Sequence, residues 1–123
     1  MSPEVIRNLK GKKLFDRLFH DGNRFTLYPV QTVWIGKSTG NTGIGAGFSV
    51  PKKRFPKAVD RNRLKRQMRE AYRLNVSGLS KSLSGKNEFL TLLFIYIGKD
   101  KMPYSLIENK IILSLQRLTG ELT

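Results

Sequence analysis

The chain has 123 residues, enough for one domain with a single two-layer core and too few for two ordinary domains. Twenty-three Lys and Arg against nine Asp and Glu give a formal charge of +14, so the compact state repels itself until a polyanion neutralises it, and a small acidic substrate would not need this much charge. A hydrophobic fraction of 39% with one Trp, four Tyr and seven Phe excludes a disordered basic tail, and the absence of Cys excludes disulfides, thiolate metal sites and a Cys nucleophile.

From Val5 to Phe19 the apolar residues Ile6, Leu9, Leu14, Phe15, Leu18 and Phe19 recur mainly at helical spacing, which predicts a first helix around Gly11 to His20, ended by Asp21-Gly22-Asn23. Thr26 to Ile35 is β-branched and aromatic but interrupted by Pro29, as in a strand that starts near Val30 or a bent edge strand. Ser38 to Gly43 reads as a turn and Ile44 to Val50 as the next strand, its glycines marking a bulge or a close backbone approach. Gly43-Ile-Gly-Ala-Gly47 leads into a strand and not a helix, so it is not read as a phosphate cradle.

After a short basic connector, Pro51 to Pro56, the stretch Lys57 to Leu74 has good helix formers and no internal Gly or Pro. Asn75 to Lys86 reads as a loop. Phe89 to Ile97 is a continuous apolar run of strand length, expected at the sheet centre and about half of what a membrane-spanning helix needs. Pro103 opens a last helix with a core-facing stripe of Ile107, Ile111, Ser114, Leu115 and Leu118. The expected architecture is an α/β (α+β) two-layer sandwich in which helices pack on a mixed or antiparallel sheet, in the order α-β-β-β-α-β-α, forming a single domain over residues 1–123. Glu4, Arg7 and Lys10 stand where a secretion signal would carry its apolar stretch, so neither a signal nor a membrane span is expected and the cytoplasm is the expected compartment.

Ten of the twenty-three cations fall between Pro51 and Arg73. At roughly 100° per residue, Asn62, Arg66, Arg69 and Arg73 make one stripe, with Arg61 and Lys65 on one flank, Arg63 on the other, and Leu64, Met68 and Ala71 opposite. Only Asp60 and Glu70 are at hand to neutralise this arc, and unpaired like charges at such spacing destabilise a helix, so the pattern points to polyanion binding and not to a merely solvated face. The single His20 lies one turn after Asp16, a surface pair that needs no function; the carboxylates form no cluster suited to two metal ions, and no motif for protein-borne hydrolysis is present.

Ala58-Val-Asp-Arg-Asn-Arg-Leu-Lys-Arg-Gln-Met-Arg-Glu70 resembles the signature of the bacterial ribonuclease P protein family, an Arg-Asn-Arg core followed by Lys-Arg and a further Arg. Gly47-Phe-Ser-Val-Pro-Lys-Lys53 and the two Phe four apart in the first helix fit the same family, so the resemblance covers most of residues 9 to 119; Pro51, Pro56 and the Gly-rich stretch from 40 to 47 depart from the common pattern. The resemblance implies a fold like the second domain of ribosomal protein S5, with a left-handed β-α-β crossover. It implies that Arg61, Asn62, Arg63, Lys65, Arg66, Arg69 and Arg73 face a catalytic RNA subunit. Phe15, Phe19 and the central sheet would then line a cleft for the single-stranded 5′ leader of precursor tRNA, with Trp34 or Tyr28 as a third aromatic and Lys52 and Lys53 nearby. Chemistry would belong to the RNA subunit with its bound Mg²⁺, and the protein would have no catalytic residue of its own. The competing readings are a structural RNA-binding protein of ribosomal type and a stand-alone nuclease.

Overall fold

A computed structural model describes residues 5–8, 12–38, 42–86 and 88–122, with backbone alone for 5–8, 12–15, 37 and 38. The described elements are β1 (Val5–Asn8), α1 (Lys12–Asp21), β2 (Asn23–Leu27), β3 (Val30–Ser38), β4 (Gly43–Ser49), α2 (Ala58–Asn75), α3 (Ser77–Leu83), β5 (Glu88–Tyr96) and α4 (Tyr104–Leu122). The strands form one mixed sheet in the order β1-β4-β5-β3-β2, with β1, β4 and β5 parallel and β3 antiparallel to both β5 and β2. The apolar run therefore forms the central strand, as its composition demands: Leu90, Leu92, Phe94 and Tyr96 are buried on one face, Leu93 and Ile95 on the other.

Helices α2, α3 and α4 cover the first face. The stripes Leu64, Met68, Ala71 and Ile107, Ile111, Ser114, Leu115, Leu118 are buried, joined by Tyr72 from α2. Phe48 of β4, Phe94 of β5 and Tyr72 form an aromatic cluster, with Phe48 stacked on Phe94 at 5.6 Å between centroids and Tyr72 edge-on to Phe48 at 5.7 Å. Burial pushes the Tyr72 hydroxyl pKa well above its ordinary value. On the second face α1 packs through Leu18 onto Val33, Leu93 and Ile95.

Three elements differ from the sequence reading. Val5–Asn8 is a strand parallel to β4, with Ile6 opposite Ile44. The segment read as a loop from Asn75 to Lys86 contains the helix α3, which buries Leu79, Ser80 and Leu83; its Ser-rich composition masks an i,i+4 leucine pair. The interrupted strand is a hairpin, β2 and β3, turning at Tyr28–Pro29, whose peptide bond is cis. Ladder pairing of β4 with β5 runs unbroken from Gly43 to Ser49, so the glycines there mark no bulge. Of the turn expected at Ser38 to Gly43, residues 39–41 lie outside the described residues.

Gly22 sets the corner between α1 and β2. Its N–H donates to the Leu18 carbonyl at 2.9 Å, and a Cβ there would collide with that same oxygen and approach Val33 Cγ1 to 2.9 Å. Gly22→Ala is expected to cost at least about 2 kcal/mol of stability in urea unfolding, because backbone must move to relieve the overlap; a loss under about 0.5 kcal/mol would mean the corner opens freely.

Candidate nucleic-acid interface

Helix α2 presents its charge as the spacing predicts, with Asn62, Arg63, Arg66, Arg69 and Arg73 exposed and Lys65 and Arg61 half-buried. The two acidic residues at hand are engaged at its ends. Arg73 makes a two-pronged ion pair with Glu70 at 2.8 and 2.9 Å, which holds the Glu70 carboxyl below its usual range, and Asp60 accepts from Lys101 Nζ at 3.2 Å. Arg61 turns back to donate to the carbonyls of Phe55 and Pro56 at 2.8 and 2.7 Å. That clip, with Phe55 buried edge-on against Tyr96, fixes the connector to the start of α2. Arg69 lies over the Phe48 ring at 5.5 Å. Arg63, Lys65 and Arg66 have no carboxylate partner among the described residues. The helix thus leaves an open guanidinium and ammonium arc, whose two ends are tied to the protein itself.

The residues read as a leader cleft are divided by the structure into separate places. Phe19 is 48% exposed on α1, at the second face of the sheet. Arg24, on β2 and directed to that face, places its guanidinium 5.9 Å from the Phe19 ring centroid and donates to the Phe19 carbonyl at 2.8 Å. Sequence reasoning does not single out Arg24; the signal was the tight Asp21-Gly22 corner, which folds β2 back against the last turn of α1. The side chain of Phe15 lies outside the described residues.

Tyr28 is exposed at the β2–β3 turn, its hydroxyl accepting from the Lys99 N–H at 3.3 Å. Lys52 and Lys53 are exposed where β4 leaves the sheet, at the same end as this turn, since Ser49 is paired with Ile95 and the Ile97 N–H donates to the Pro29 carbonyl. Trp34 is not brought to the Phe19 side. Its position alternates with Val33, it packs against the core under the helices, and its buried Nε1 finds no hydrogen-bond partner among the described residues.

Among the described residues no group of three His, Asp or Glu lies close enough together to hold a metal ion. No helix among them is long and apolar enough to cross a membrane.

The sequence model of the ribonuclease P family matches residues 5–119. The chain is 33% identical to the ribonuclease P protein component of Porphyromonas gingivalis, over 97% of this chain and 91% of that one, and 38% identical to that of Chlorobaculum tepidum, over 76% and 67%. The solved ribonuclease P protein of Thermotoga maritima superposes with a TM-score of 0.71 at 20% identity, covering 89% of this chain and 96% of that one; the Staphylococcus aureus protein gives 0.66 at 20%, covering 91% and 96%. Sequence likeness over nearly the whole length and a shared fold agree with the signature on α2, and the chain belongs to the ribonuclease P protein family, as a protein component of that tRNA-processing ribonucleoprotein.

Proposed function

We propose that the chain docks on a catalytic RNA subunit through the open arc of α2 and holds the single-stranded 5′ leader of precursor tRNA on the α1 side of the sheet. The observation that carries this reading is the set of α2 cations left without internal partners, which in isolation repel one another and are relieved by phosphates. Arg63, Lys65 and Arg66 face the RNA directly, while Arg69, resting on Phe48, presents its outer edge at a fixed height. Arg61 stiffens the base of the helix and Arg73 is oriented by Glu70. On the other side, Phe19 offers an exposed ring for sequence-tolerant base stacking. Tyr28, Lys52 and Lys53 flank the end of the sheet from which the leader would leave.

Bond cleavage belongs in this reading to the RNA subunit and to Mg²⁺ held by it, and the protein's part is to neutralise phosphate where two RNAs meet. The test is cleavage of precursor tRNA by protein alone, RNA subunit alone and the reconstituted pair at low Mg²⁺. Specific 5′ maturation is expected from the pair, with little from the RNA and none from the protein. Cleavage by RNA-free protein would make the chain a stand-alone nuclease, and a pair no better than RNA alone would make it a structural RNA-binding protein.

A further inference from the structure

We infer that Arg24 is a positioning residue for Phe19 and forms with it a composite platform, ring plus guanidinium, that holds one stacked base and the phosphate beside it. The inference rests on the leader-holding reading of this face. Two Arg–Phe pairs flank the edge strand β2 on its two faces, and they differ in what they leave open. Arg117 of α4 lies 4.5 Å over Phe25, whose ring is only 7% exposed, so that guanidinium closes the core. Arg24 lies 5.9 Å from Phe19, which stays 48% exposed, and Arg24 itself is exposed. A large ring left half in water beside a cation is not explained by core packing.

The hydrogen bond from Arg24 to the Phe19 carbonyl, in the last turn of α1, fixes the guanidinium relative to the residue whose ring it meets. Gly22 supplies the rest of the constraint by bringing β2 back under the helix end. With the ring held before a base arrives, less side-chain freedom is lost on stacking, and the guanidinium N–H groups not used on the Phe19 carbonyl are donors for a phosphate beside that base. An arginine that merely caps α1 would show the same hydrogen bond, so the test must separate the two roles.

The experiment measures affinity of the reconstituted protein–RNA holoenzyme for precursor tRNA and for mature tRNA, with Arg24→Ala, Arg24→Gln, Phe19→Ala and the two double variants. Gln keeps an N–H donor for the Phe19 carbonyl but has neither charge nor a guanidinium face. Arg24→Ala and Arg24→Gln are each expected to weaken precursor binding about three- to tenfold while mature tRNA changes by less than about twofold. In the Phe19→Ala background the Arg24 effect is expected to shrink, since the two side chains act as one unit. Precursor affinity restored to the wild-type value by Arg24→Gln would reduce Arg24 to a helix cap and overturn the inference. So would a Phe19→Ala variant that separates the two substrates while both Arg24 variants do not. If Phe19→Ala itself affects the two substrates alike, the leader-holding reading falls, and the role of Arg24 with it.

Discussion

Replacing Phe94 with Ala is expected to remove about 3 to 5 kcal/mol of folding stability, a large share of the roughly 5 to 15 kcal/mol available to a domain of this size. Phe94 is fully buried on the central strand, its ring stacked on Phe48 and tilted against Tyr72 at 5.9 Å. Sheet neighbours on both sides and α2 above leave the cavity little way to collapse, which puts the cost toward the upper part of that range. The ring also supports Phe48, on which Arg69 rests, so the variant is expected to weaken RNA-subunit binding under conditions where it remains folded. Phe94→Leu should lose less than half as much, because most of the volume is kept. Urea unfolding of the two variants checks this, and a loss below about 1 kcal/mol for Ala would contradict the packing described.

Removing Arg63, Arg66 and Arg69 together is expected to lower the slope of log affinity against log salt by about 2 to 3 units, at roughly 0.7 to 0.9 unit for each lost phosphate contact. Titration of the RNA subunit between low and moderate salt reads the slope directly. Arg73→Ala is expected to change it by less, since that guanidinium already has Glu70 as a counterion at 2.8 Å. An unchanged slope for the triple variant would mean that the arc faces solvent in the holoenzyme, and an equal change for Arg73→Ala alone would mean that RNA displaces Glu70.

What could be read from the sequence follows from where the information is local. The burial of Leu64, Met68 and Ala71, and of the whole stripe from Ile107 to Leu118, is written in helical spacing, and the central strand in nine almost unbroken apolar residues. By contrast, β1 is four residues long and is a strand because β4 lies alongside it, a relation between residues some forty apart that no local pattern encodes. The site shows the same division. The guanidinium row follows from 100° per residue, but that Arg61 would turn inward to two carbonyls, and that Trp34 would sit under the helices and away from Phe19, depends on how the chain folds back on itself. Arg24 was invisible for the same reason: its partner ring belongs to another element, and only the corner at Gly22 makes them neighbours.

The strand order has one more consequence. Helix α2 rests above β4, whereas Arg24 stands on β2, three strand intervals away and aimed at the opposite face. At about 4.8 Å per interval this is a lateral offset of roughly 14 Å, set by ladder hydrogen bonds and not by any side chain. In the proposed function the sheet would be a gauge block between two polyanions, one strand plane thick and of fixed width. Side-chain substitutions on either face would then loosen the grip on one RNA while the ladder hydrogen bonds keep the separation between the two. On that reading the spacer would keep the distance from the anchoring helix to the proposed leader platform the same from one turnover to the next.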